Sequence, residues 1–270
     1  MADILDKITA AKRKEVEKRK ELYPAKLLEQ SIYFEAKPVS LCSYLKRSDL
    51  LGVIAEIKRK SPSKGVINAH VDVERLSIGY MQSGASALSV LTDTEFFGGS
   101  SADLETARKF NFCPILRKDF IVDEYQVVEA KSIGADVVLL IAACLEPTEL
   151  KKLAKAARGL GMEVLMEVHS EEELNKGLCE EVSVVGVNNR NLKDFTVNVE
   201  TSKQLLGKIP KGICKISESG ISSPSVLVDL KRCGFDGFLI GEAFMKSARP
   251  ERACEKLIKA ARQELEADAD

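Results

Sequence analysis

Two hydrophobic rhythms alternate along this chain. Short runs rich in Val, Ile and Leu recur at VIAEIK (53–58), ALSVL (87–91), PILRK (114–118), DVVLLIA (136–142), MEVLMEV (162–168), SVVGVN (183–188), CKISES (214–219) and GFLIG (237–241). Their length and β-branched content predict buried strands. Between and after them lie segments with a helical period, at about 72–84, 101–110, 123–133, 147–159, 170–177, 198–206, 222–233 and 250–267. Pro147 falls in a first helical turn, Gly134 and Gly161 follow helix-like runs, and Ser222-Ser223-Pro224 reads as a cap.

Strand–helix alternation implies parallel strands, because parallel neighbours need a crossover rather than a tight turn. Eight such units in 270 residues predict an α/β fold, a closed (β/α)8 barrel. An open doubly wound sheet is the alternative, but no GxGxxG turn follows the first strand. No linker, low-complexity segment or clear repeat divides the chain, so residues 1–270 are expected to form one barrel domain, with residues 1–50 a helical extension packed on it. The opening MADILDKITAAKRKEVEKRK places Ile4, Leu5, Ile8 and Ala11 on one helix face. Its basic run 12–20 is interleaved with glutamates and reads as a solvated face. The acidic tail EADAD is expected to fray.

Composition changes this picture only by exclusion. Apolar residues make up 45% and charged residues 30%, ordinary for a globular chain with a large core. A net charge of −1 predicts no general affinity for nucleic acid or anionic membranes, so anion recognition must be local. No signal peptide or membrane-length apolar stretch is present, and the expected location is the cytoplasm. Seven dispersed cysteines without a CxxC pair read as reduced core residues, Cys113, Cys144 and Cys214 lying in or beside strand-like runs. His70 and His169 have no metal-ligand spacing, so no metal is expected. They read as loop or cap residues.

The candidate chemistry sits at the strand ends. In VIAEIKRKSPSKG (53–65), Glu56 and Lys58 share a strand face, and Ser61 to Gly65 suits neither helix nor sheet. Lys118 ends the third run, Glu167 the fifth, Asn188 with Arg190 the sixth, and Glu218 with Ser219 the seventh. A barrel of parallel strands gathers all these ends on one rim, where such folds do their chemistry. One charge at a strand end is ordinarily solvated; five strands ending this way predict an active site. Ser219-Gly220, and Gly241 before the short EAFMKS segment, occupy the loops after strands seven and eight, where this fold often binds phosphate through backbone N–H groups. Ser61 and Lys64 lie on the neighbouring first loop. Gly98-Gly99 reads as a turn, with Phe96 or Phe97 a candidate pocket wall.

The assembled motifs resemble the indole-3-glycerol phosphate synthase family of tryptophan biosynthesis over essentially the whole chain. They are AEIKRKSPSKG (55–65), LTDTEFFGGS (91–100), PILRKDFIVDEYQ (114–126), GADVVLLI (134–141), LMEVH (165–169), VNNRNL (187–192), SESGI (217–221) and FLIGEAFM (238–245). Departures, at Arg59-Lys60 and Asn191, touch no assigned role. The resemblance implies conversion of 1-(2-carboxyphenylamino)-1-deoxyribulose 5-phosphate to indole-3-glycerol phosphate, carbon dioxide and water, without a cofactor. It implies Lys118 as general acid and Glu167 as general base, with Lys58 assisting as acid or holding the substrate carboxylate. Glu56 and Asn188 fall in the same catalytic set. Arg190 would hold the anthranilate carboxylate and Glu218 would contact substrate, while Phe97, Phe120 and Leu139 form apolar wall. Ser61, Ser219, Gly220, Gly241 and Glu242 would face the phosphate, the last two mainly through backbone. The partners implied are this anthranilate-derived sugar phosphate and, as an association to be considered, other tryptophan-pathway enzymes. Another phosphate-binding barrel enzyme (phosphoribosylanthranilate isomerase or a Schiff-base aldolase) and a non-catalytic barrel are the alternatives.

Overall fold

The computed structural model describes residues 4–267, so the last three residues of the EADAD tail lie outside the described part. Eight parallel strands close into a barrel: β1 (Val53–Ile57), β2 (Ala87–Leu91), β3 (Ile115–Lys118), β4 (Val137–Ile141), β5 (Glu163–Val168), β6 (Val184–Asn188), β7 (Cys214–Glu218) and β8 (Gly237–Ile240). Each pairs with its sequence neighbour, and β1 closes the ring on β8 through registers such as Val53 with Phe238. The predicted strands are all present, trimmed at their ends; Lys58 stands just past β1 rather than in it.

Side-chain alternation sorts each strand into two cores. Ile54, Leu116, Leu139, Leu165, Val184, Ile216 and Leu239 fill the barrel interior. The intervening Ala55, Val90, Val138, Val164, Val185 and Phe238 pack outward beneath helix residues such as Leu104, Leu150, Leu227 and Leu257. Truncating an interior residue such as the fully buried Leu165 to Ala would cost about 2–5 kcal/mol.

The segment before β1 holds the barrel at both ends. At the floor, Ser40 caps the helix Leu41–Leu45, its hydroxyl accepting from Ser43 N–H at 3.1 Å. The same hydroxyl donates to Glu163 Oε1 at 2.6 Å, and Val39 N–H donates to Asp136 Oδ1 at 2.7 Å. Leu41 and Leu45 thereby plug the interior from the strand starts.

At the mouth lies the helix Ile4–Leu22. Its Lys12 is not on a solvated face, as the basic run suggested, but only 2% exposed, 2.9 Å from Asp93 Oδ2 and 3.1 Å from Asp119 Oδ1. Burial opposes the ammonium charge, but the two carboxylates outweigh it and hold Lys12 protonated. Further along the helix, Lys20 pairs with Asp123 at 2.7 Å.

Two smaller expectations are also corrected. Ser61 to Gly65 is not free of sheet, since Lys60–Ser61 and Gly65–Val66 pair as a minimal antiparallel hairpin. Nor are all cysteines core residues: Cys233 is exposed, and Cys42, Cys144 and Cys179 are only partly buried. No described helix is long and apolar enough to cross a membrane.

Candidate active site at the barrel mouth

The strand ends open into a cavity of about 480 Å³. The residues assigned a site role all border it: Glu56, Lys58, Ser61, Phe97, Lys118, Phe120, Leu139, Glu167, Asn188, Arg190, Glu218, Ser219, Gly220, Gly241 and Glu242. That convergence is geometric. Residues two apart on parallel strands share a face, so Glu56 above Ile54, Lys118 above Leu116 and Glu167 above Leu165 continue the interior rows upward to the rim.

Lys118 is the electrostatic centre. Its Nζ lies 2.5 Å from Glu167 Oε2 and 3.2 Å from Glu218 Oε2. Burial works against its charge, but Glu167 and Glu218 raise the ammonium above its ordinary range. The two carboxylates respond in opposite ways. Glu167, despite burial, is held below the usual carboxylate range by Lys118, by His169 and by Asn188, whose Nδ2 donates to Glu167 Oε1 at 3.0 Å. Glu218 is pushed up to about 7, first by burial and then by the charge of Glu167, with Lys118 opposing. Its Oε1 has no hydrogen-bond partner and sits over Gly186, where a Cβ would approach to 2.2 Å. Glu167 is held ionised while Glu218 is pushed toward its protonated form, a division of environment that suits acid–base work.

Glu56 and Lys58 form a second ion pair, with Oε1 and Nζ 2.6 Å apart. Gly241, expected to offer backbone to phosphate, also leaves the space that the Glu56 carboxylate occupies. Arg190 Nη2 pairs with Glu242 Oε2 at 3.0 Å, and Lys246 Nζ approaches Glu242 Oε1 to 2.6 Å. The Glu242 carboxylate is therefore satisfied by cations, leaving only its backbone for an anion.

The turn after β7 is held from behind. Ser219 takes a left-handed φ of 66°, uncommon for a residue with a side chain, and Gly220 follows at 79°. Asn189 Nδ2 donates to Ser219 O at 3.0 Å, while Asn189 Oδ1 accepts from the buried Ser202 hydroxyl at 2.8 Å. This buried network escaped the sequence reading, because Asn189 beside Asn188 carries no mark that it turns away from the cavity.

The apolar side of the cavity was only partly foreseen. Phe97 and Phe120 lie with ring centroids 6.0 Å apart, and Ile4, Leu5 and Ile8 of the first helix complete the wall beside them. The amphipathic pattern placed these three on one face but could not say that the face looks into a cavity. Phe96 packs into the interior cluster and does not line the cavity. His70 is exposed, as a loop residue would be. His169 takes a cap-like place, its backbone N–H donating to Glu173 Oε2 at 2.7 Å. Among the described residues, no group of three His, Cys, Asp or Glu is gathered to hold a metal ion.

A (β/α)8 barrel with paired lysines and carboxylates at its mouth, an apolar wall and a glycine-rich rim defines the class of enzymes that act on a small molecule at the barrel mouth. Residues 5–257 match the family model described as indole-3-glycerol phosphate synthase. A relative of that name from Bacteroides thetaiotaomicron is 47% identical over 260 residues, covering 96% of this chain and 99% of its own length. Another from Salinibacter ruber is 44% identical over 256 residues, covering 94% of each. The chain belongs to the indole-3-glycerol phosphate synthase family, whose members are carboxy-lyases of tryptophan biosynthesis. A mutant tryptophan synthase alpha-subunit from Pyrococcus furiosus superposes with a TM-score of 0.60 over 80% of this chain and 99% of its own. At 14% identity that likeness concerns the fold alone.

Proposed function

We propose that the cavity binds 1-(2-carboxyphenylamino)-1-deoxyribulose 5-phosphate and converts it to indole-3-glycerol phosphate, carbon dioxide and water. The observation that carries this reading is the bracketing of Lys118 by Glu167 and Glu218, between an apolar wall and a rim of glycine, serine and lysine. The anthranilate ring fits against Phe97, Phe120 and Leu139, and its carboxylate meets Arg190 or Lys58. The phosphate faces Ser61, Ser219, Gly220 and the backbone of Gly241 and Glu242. Lys64 and Lys246 on the same cavity wall add positive charge.

The chemistry follows from which groups carry protons. The aryl carbon bearing the carboxylate attacks the ketone carbon, closing the five-membered ring, and Lys118 gives its proton to the ketone oxygen as the charge develops there. The bond to the carboxylate carbon then breaks, its electrons restore the aromatic ring, and carbon dioxide leaves. In the last stage the new hydroxyl departs as water with a proton from Lys58. Glu167 removes a proton from the ring carbon beside nitrogen, forming the indole double bond. Glu56 orients Lys58, Asn188 orients Glu167, and Glu218 contacts the substrate while balancing Lys118.

A Schiff base at Lys118 would need the free amine, whereas its two carboxylate neighbours favour the ammonium. Borohydride added with a ketose phosphate should therefore leave the enzyme active and its mass unchanged. The deciding experiment is turnover of the named substrate followed by indole absorbance; an intact, folded chain that forms no product overturns the proposal.

A further inference from the structure

His169 follows Glu167 by two residues, just past the end of β5, and its ring lies beside the Glu167 carboxylate rather than on the cavity wall. Its ring is clamped from one side. Nδ1 lies 3.1 Å from Glu173 Oε2, the same oxygen that accepts the His169 backbone N–H. Glu173 is itself fixed, because its N–H donates to the N-cap hydroxyl of Ser170 at 3.2 Å. The other ring nitrogen, Nε2, is buried without a hydrogen-bond partner and lies 3.6 Å from Glu167 Oε1. It is aimed at the group we read as the general base.

Valence decides the protonation. A carboxylate only accepts, so Nδ1 carries a hydrogen toward Glu173. Glu167 is already an acceptor on both sides, from Lys118 at 2.5 Å on Oε2 and from Asn188 at 3.0 Å on Oε1. A neutral ring would point a lone pair at an ionised oxygen in a buried site. An imidazolium instead turns an N–H toward it.

We propose that His169 is a positioning residue for the general base, an imidazolium tethered by Glu173 that holds the Glu167 carboxylate ionised and turned toward Lys118. The proposal rests on the reading of Glu167 as base. The charged groups acting on the ring are Glu173 from the helix Glu171–Gly177, Glu167 on β5 and Glu218 on β7. Burial opposes the imidazolium charge, but these carboxylates together raise His169 above its ordinary value. The sign follows: the active, protonated form is present at lower pH and is lost as pH rises through the raised value.

Two measurements test this. The chain has only two histidines, so imidazole NMR signals of the intact protein can be assigned with a His70→Gln variant. The His169 signal should titrate above the ordinary value of about 6.5 and fall by about one pH unit in Glu167→Gln and in Glu173→Gln. This readout does not depend on turnover, so it stands or falls apart from the proposed reaction. In kinetics, His169→Gln keeps a donor but no titrating proton. Its kcat should fall about tenfold, in line with one hydrogen bond to a charged group, with KM nearly unchanged. The alkaline decline that follows the His169 titration should disappear. A His169 signal at or below the ordinary value, no movement of it in Glu167→Gln, or an unchanged kcat–pH profile in folded His169→Gln would each overturn the proposal.

Discussion

A Cβ placed on Gly241 would stand 2.3 Å from Glu56 Oε1 and 3.0 Å from Glu56 Cβ. The end of β8 is thus shaped around a carboxylate on β1, and the proposed phosphate side of the cavity is coupled sterically to the proposed acid–base side. Gly241→Ala should displace Glu56 and, through their 2.6 Å pair, Lys58. Overpacking of this kind costs about 1–3 kcal/mol of stability, and the misplaced Glu56–Lys58 pair should lower kcat roughly tenfold or more. Steady-state kinetics separate the cases: a rise in KM with kcat intact would show that Gly241 serves the phosphate alone.

Lys118→Ala removes the proposed proton donor and leaves Glu167 and Glu218 facing each other. Turnover should fall by about 10²- to 10⁴-fold. Phosphate-side contacts survive, so substrate binding measured by calorimetry should change much less than kcat. Near-normal turnover would mean that the proton comes from elsewhere.

Glu218 gives a pH signature in stability. Its folded-state value is raised to about 7 from an ordinary 4.5, so its protonated form is favoured by folding. The stability this contributes is full below the ordinary value and is lost as pH rises through the raised one. Glu218→Gln should therefore raise Tm relative to the parent at pH 8, and the gain should shrink toward pH 5. An equal difference at both pH values in thermal unfolding would refute this coupling.

Lys12 makes the strongest stability prediction outside the cavity. Lys12→Met leaves the buried Asp93 without its cationic partner and Asp119 with Arg117 alone, and breaking such a buried pair costs about 3–5 kcal/mol. A urea titration should show a clear fall in midpoint. Adding Asp93→Asn should recover part of it; no recovery would mean that packing, not charge, dominates.

Much of this was legible from local pattern. The helices expected at about 101–110 and 147–159 coincide with Ser101–Phe110 and Pro147–Gly159, and strand alternation alone places Glu56, Lys118 and Glu167 on one rim. Those signals are local: a period of two, a run of Val and Ile, a charge where apolar residues should continue. Lys12 failed because its partners lie on distant loops, and nothing in a basic run distinguishes the one lysine that meets them. Asp119, next to Lys118, carries no mark in the sequence either, yet it is buried with Arg117 and Lys12. The same holds for Leu41 and Leu45, apolar in sequence but given a place only by Glu163 and Asp136. Partner identity across long separations, not residue type, was the missing information.

The double grip of residues 4–50 sets an order for synthesis. Their anchors include Asp93, Asp119, Asp136 and Glu163, and the Leu45 side chain rests against Gly237 of the final strand. A chain emerging from the ribosome carries Ile4, Leu5, Ile8, Leu41 and Leu45 uncovered until nearly all of the barrel has been translated. This segment is made before the barrel strands that seat it. During that interval its apolar faces are the part of the nascent protein most in need of chaperone cover.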